Sequence, residues 1–111
     1  MTEEPAAGLG LGDVLAAAAE GLDGVSTDAV GDAITWFAGP APFAVLTGGS
    51  ATFRLDPQVA RAALRTPGAS PSDRGPDWLT YAPEALDDEA VDRIEAWFLS
   101  AYRRVRAKRV R

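Results

Sequence analysis

The chain contains neither cysteine nor histidine. Without thiols there is no disulfide framework, no thiolate nucleophile and no thiolate metal site. Without imidazole the chain lacks the side chain that most often transfers protons near neutral pH, and the usual nitrogen ligand of zinc, copper, nickel and haem iron. Lysine is nearly missing as well: Lys108 is the only one, so a serine–lysine pair would have to draw on the far C-terminal end. No stretch approaches the ~20 apolar residues of a membrane-spanning helix. The opening Met1-Thr2-Glu3-Glu4-Pro5 is acidic where a secretory signal is basic, and Asp13 and Glu20 interrupt the alanine-rich run that follows. These absences lead us to expect a cytoplasmic protein with no catalytic residue, no metal site, no cofactor and no membrane partner.

At 111 residues with 47% hydrophobic side chains, the chain suits a single folded domain. The net charge of −5 hides a division: residues 1–102 hold all 16 acids and only five of the 11 bases, while residues 103–111 hold the other six bases. An acidic body is followed by a basic end.

Residues 1–10 read as a flexible leader. Gly8, Gly10 and Gly12 lack the spacing of a dinucleotide-binding loop, and no strand precedes them. Leu11, Val14, Leu15, Ala18 and Leu22 follow helical spacing, predicting a helix over 11–22 that stops at Gly21 and Gly24. Residues 23–32, rich in Gly, Ser, Thr and Asp, read as a turn or linker. Three strands are expected over 33–38, 43–47 and 51–55. Gly39-Pro40-Ala41-Pro42 breaks the first from the second, and Gly48-Gly49-Ser50 turns the second into the third. Phe53 and Leu55 share one face of the third strand, and Thr52 and Arg54 the other.

Asp56-Pro57 is a helix start, with Asp as N-cap and Pro at the first helical position. Val59, Ala60, Ala63 and Leu64 form the apolar face of that helix. Residues 67–77 read as an irregular loop, and 77–82 as a fourth strand. The last helix is the plainest element: Ala90, Val91, Ile94, Trp97, Phe98, Ala101, Tyr102 and Val105 make an apolar stripe, with acids at its start and arginines at its end in the order that favours the helix dipole. The expected fold is α+β, a small antiparallel sheet in the order α-β-β-β-α-β-α packed against the long C-terminal helix. Residues 11–105 form its one domain, and 106–111 a basic tail.

Residues 33–105 resemble the YjbR/MmcQ-like family and, more distantly, the N-terminal domain of TfoX-type competence proteins. The residues that carry the likeness are the hairpin Phe43-Ala44-Val45-Leu46 with Ala51-Thr52-Phe53-Arg54-Leu55, then Asp56-Pro57, Pro67-Gly68 and Asp77-Trp78-Leu79-Thr80. The closing helix adds Asp87-Asp88-Glu89 and Ser100-Ala101-Tyr102-Arg103-Arg104-Val105. The resemblance implies a compact α+β fold, described as a double-wing arrangement and suggested to bind DNA, with no established catalytic activity. Relatives often carry a His/Asn/Lys segment before the strand Trp; here Ser70-Pro71-Ser72-Asp73-Arg74-Gly75-Pro76 keeps one base and gains an acid.

Several residues are candidates for function. Arg54 and Arg74 are isolated bases in an acidic body; Arg54 is suited to pair with a carboxylate of the protein, Arg74 to catch an anionic ligand. Trp78, following a Pro/Gly loop, is placed to show its indole at the rim of a pocket formed with residues 67–77, whereas Trp97 belongs to the helix stripe. Trp36 is the third tryptophan that could line such a pocket. Arg103, Arg104, Arg106, Lys108, Arg109 and Arg111 can contact phosphates, or cap the helix and lie back on the acidic body; no aromatic residue interleaves the last of them to stack on bases. Asp88, Asp92 and Glu95 share a helix face, which reads as solvated. Two functional readings follow: a non-catalytic interaction module, monomeric or homodimeric, with DNA or a protein as partner, or a small-ligand carrier with a pocket near Trp78.

Overall fold

The computed structural model describes residues 10–109, with the side chains of Lys108 and Arg109 outside that description. The chain runs α1 (Leu11–Ala19), β1 (Val25–Val30), β2 (Ala33–Ala38), β3 (Ala41–Thr47), β4 (Ser50–Arg54), α2 (Pro57–Ala63), β5 (Ala69–Ser72), β6 (Gly75–Tyr81) and α3 (Asp88–Arg109). All pairings are antiparallel, in one sheet of order β1-β2-β3-β4-β6-β5. The α+β class and the long closing helix are as the sequence implies, but the sheet has two more strands than expected.

Both additional strands lie at edges. The 23–32 segment is not a linker: Val25–Val30 pairs residue for residue with Ala33–Ala38. Its side chains are exposed except for half-buried Val25, so no apolar alternation announces it. Within the 67–77 segment, Ala69–Ser72 pairs with β6, and Pro71 is tolerated because the strand is an edge. The prolines after β2 do not end the sheet either. Gly39 and Pro40 make a two-residue turn, and Pro42 sits in β3 opposite Phe37, where the register shifts. Four such turns join the hairpins, at 31–32, 39–40, 48–49 and 73–74.

One sheet face is the core. Trp36, Ala44, Ala51, Phe53, Leu79 and Tyr81 present it, and α3 lies across β2, β3 and β4 with Ile94, Phe98, Ala101, Tyr102 and Val105 turned inward. The contact is aromatic at several points. Phe98 meets Trp36 and Phe43 edge-on, with ring centroids 5.9 and 5.1 Å apart, and Trp97 meets Tyr81 at 5.1 Å and 88°. Asp87 caps α3, its Oδ1 accepting from Ala90 N at 2.9 Å. α1 is shorter than expected, because Gly21 turns left-handed at φ 84° directly after the last turn; Val14 and Leu15 bury it, and it packs on α3.

The helix does not stop at Val105. It continues through Arg109, so the first part of the basic tail is helix. Tyr102 Oη donates to Asp23 O at 2.7 Å, and Arg106 Nη1 donates to Tyr102 Oη at 2.6 Å. This end of α3 therefore holds the turn from which β1 departs.

Phe98→Ala is expected to cost about 3–5 kcal/mol, read by urea unfolding, because it opens a cavity at the centre of the aromatic contact. Tyr102→Phe is expected to cost about 1 kcal/mol and to speed amide exchange chiefly across residues 23–30.

Candidate ligand groove

Helix α2 starts where Asp56 Oδ1 accepts from Gln58 N at 2.9 Å, with Pro57 in the first turn. It is only seven residues long and turns just Ala60 and Ala63 fully inward. Val59 and Leu64, expected on the buried face, flank that narrow stripe and remain 41% and 40% exposed. Two alanines hold the helix against β6 but do not fill the space beside it.

The β5–β6 hairpin bounds that space on the other side. Gly68 sets its position: φ is 92°, and a Cβ there would lie 2.8 Å from Ala82 O, so only glycine lets β5 start this close to the end of β6. Ala82 N then donates to Gly68 O at 2.8 Å. Between helix and hairpin lies a groove of about 430 Å³, with Trp78 and Leu79 from β6, Ala60 and Arg61 from α2, Leu64 at the end of that helix, Asp73 in the hairpin turn, and Pro57, Pro71 and Pro76 around it. The surface is mostly apolar, and three prolines stiffen its walls without adding donors.

Trp78 is the largest side chain there and only 8% exposed. Its ring carries two guanidinium neighbours: Arg74 lies 5.2 Å and Arg54 6.0 Å from the ring centroid. The two arginines differ in their commitments. Arg54 Nε donates to Asp77 Oδ2 at 3.1 Å, so it is held by a carboxylate of the protein. Arg104 of α3 approaches the same carboxylate oxygen at 4.0 Å, and its Nη1 is buried with no hydrogen-bond partner among the described residues. Arg74 sits exposed in the two-residue turn, where its backbone N donates to Ser72 Oγ at 3.1 Å. Of the expected ligand-binding residues, then, only Trp78 lines the groove; Arg74 lies over its ring without lining the groove, and Arg54 is held beside it in an internal ion pair.

Arg61 and Leu64 were not singled out in the sequence as groove residues. The signal available was a large apolar residue at the end of a helix whose inward positions are alanines. Trp36 and Trp97 belong to the core. The basic end is divided: Arg103 is exposed, Arg104 faces Asp77, and Arg106 is tied to Tyr102 and Asp23. Lys108 and Arg109 follow on the helix, and Arg111 lies outside the described residues. Asp88, Asp92 and Glu95 are exposed, and among the described residues no three His, Cys, Asp or Glu side chains gather as a metal site. No described helix is long and apolar enough to cross a membrane.

The arrangement can enclose an apolar body against Trp78 and offer it one cation at Arg61, with the Asp73 carboxylate also on the wall. No family model, curated protein or solved structure matches the chain.

Asp77→Ala removes the only carboxylate that faces Arg54 and Arg104 in these contacts. It is expected to cost about 1–3 kcal/mol in urea unfolding, whereas Arg74→Gln, at an exposed turn, should stay within ~0.5 kcal/mol of the parent.

Proposed function

We propose that the chain is a non-catalytic binding module and that its ligand site is the groove between α2 and the β5–β6 hairpin. The observation that carries this reading is the groove itself: a concave, mostly apolar space of about 430 Å³ lined by Trp78, with one cation, Arg61, and one carboxylate, Asp73, on its walls. Ligand sites generally have this form, a few hundred cubic ångströms of apolar surface with a small number of placed polar groups. The absence of histidine and cysteine supports binding over turnover. The likeness of residues 33–105 to the YjbR/MmcQ-like family, which has no established catalytic activity, is in keeping with it.

The chemistry on the walls points to a flat apolar ligand with one anionic group. The ring of such a ligand fits between Trp78 and Leu64, and its charge, turned away from Asp73, meets Arg61 on the wall, with Arg74 over the Trp78 ring as the next cation. A naphthoate probe and its neutral amide test this by amide-resolved NMR titration. Naphthoate is expected to shift residues 57–64 and 71–79 and to bind at least about tenfold more weakly to Trp78→Ala. Arg61→Gln with Arg74→Gln should weaken the acid and spare the amide. Shifts located elsewhere, or none with either probe, would remove the groove reading.

Binding of nucleic acid at the basic end of α3 is the second reading. It is favoured by exposed Arg103 and by the helix continuing through Arg109. Truncation is the wrong test, since Val105 and Tyr102 are part of the core. Replacing Arg103, Lys108, Arg109 and Arg111 together with glutamine leaves the core intact. It is expected to abolish any low-salt gel shift of duplex DNA, and a parent protein that gives no shift at low salt would exclude this role.

A further inference from the structure

The two outer edges of the sheet are built differently. β5 has four residues, includes Pro71, which offers no N–H, and shifts register between Pro71 and Ser72. Short length, proline and irregularity are the devices that blunt an edge against further pairing. β1 has none of them. Its six residues, Val25-Ser26-Thr27-Asp28-Ala29-Val30, run in unbroken register with β2 and include neither proline nor lysine. Its last residue, Val30, is 71% exposed.

Pairing with β2 determines which backbone groups face outward. Gly39 N donates to Gly24 O at 3.0 Å, and the turn at Gly31-Asp32 closes on the pair Val30 and Ala33. Alternation along an antiparallel ladder then directs the N–H and C=O of Gly24, Ser26, Asp28 and Val30 towards β2. Those of Val25, Thr27 and Ala29 point to the open side.

We propose that β1 is a self-association edge, at which a second copy of this chain adds its own β1 in antiparallel orientation about a twofold axis through Thr27. Two constraints select that register. Residues opposed across an antiparallel pair lie on one face of the sheet, so the axis passes at a residue and not between two. Centred on Thr27, the pairing sets Thr27 against its counterpart, Val25 against Ala29, and Ser26 against Asp28. All three outward-facing residues then form hydrogen-bonded pairs, about six N–H···O=C bonds in total. Centring on Asp28 would oppose two carboxylates with Cα atoms ~4.5 Å apart, which is destabilising. Centring on Ser26 would leave Ala29 opposite Asp23, outside the strand.

A second feature lies at the same edge. An open hollow of about 310 Å³ runs between α1 and β1, lined mainly by Ala16, Ala19, Leu22, Val25 and Trp36, with exposed Glu20 at its margin. It is on the face to which Val25, Thr27 and Ala29 project, since their β2 partners are Ala38, Trp36 and Ile34 and Trp36 packs on Phe98. The second copy's Ala29 arrives beside Val25 at the mouth of this hollow and covers it.

Sedimentation velocity of the full chain, from low micromolar to near-millimolar concentration, is expected to show a monomer–dimer equilibrium. Thr27→Pro removes only an outward N–H, so it costs no bond to β2, and it should weaken the dimer at least about tenfold. Because the chain has no cysteine, single-cysteine variants report the register directly. Thr27→Cys is expected to form a disulfide-linked dimer under mild oxidation, the two Cα atoms lying ~5.5 Å apart. Val30→Cys is not, since it and its counterpart lie roughly 20 Å apart in this register. If Thr27→Pro unfolds by circular dichroism, the cysteine pair decides alone. A strictly monomeric protein would overturn the proposal. So would Val30→Cys linking as readily as Thr27→Cys, which would place the contact on the exposed valine. Exchange-protected amides at Val25, Thr27 and Ala29 in a monomer would show that another segment of the same chain covers the edge, and would also overturn it.

Discussion

The aromatic contact between α3 and the inner face of the sheet is the constraint on which the other features rest. Phe98 stands between Trp36 of β2 and Phe43 of β3, and Trp97 reaches Phe53 of β4 and Tyr81 of β6. One helix thus fixes four strands relative to one another. Its further turns fix what lies outside them: Tyr102 and Arg106 hold the turn before β1, and Arg104 approaches the carboxylate that already binds Arg54. The arginines that look like a free basic end in the sequence are partly fastening points of the fold.

The groove arises from a mismatch in size. α2 brings small residues to β6, while the adjoining strand carries Trp78, and the β5–β6 hairpin is held close by Gly68. Small side chains on one wall and a large ring on the other leave a space that neither fills. Asp77 occupies Arg54, which leaves Arg61 as the cation on the groove wall and Arg74 over the Trp78 ring, both exposed.

What could be read from the sequence was whatever depends on local pattern. The α3 stripe, the Asp56-Pro57 helix start, the Gly48-Gly49 turn and the inward set of Phe53 and Leu55 each follow from residues a few positions apart. β1 and β5 do not. Ser26, Thr27, Asp28 and Ala29 are strand because β2 supplies partners along their whole length, and Pro71 is strand because no neighbour asks for its missing N–H. The candidate groove was legible only in part. Trp78 and the segment before β6 stood out through ring and prolines, but the opposing wall depends on where Leu64 and Arg61 come to rest after a seven-residue helix turns on its axis, and no short pattern encodes that.

The order of elements has a consequence for biogenesis. Every strand precedes α3 in the chain, so all six are synthesised before the helix that shields Phe43, Phe53, Leu79 and Tyr81. A ribosome still decoding α3 keeps β6 in its exit tunnel, so the strands already outside present Phe43 and Phe53 to water without β6 or the helix. Stable structure must wait for β6 and α3 to emerge, and a pause in translation within that helix lengthens the time during which the bare face of β2, β3 and β4 is available to chaperones or to other nascent chains.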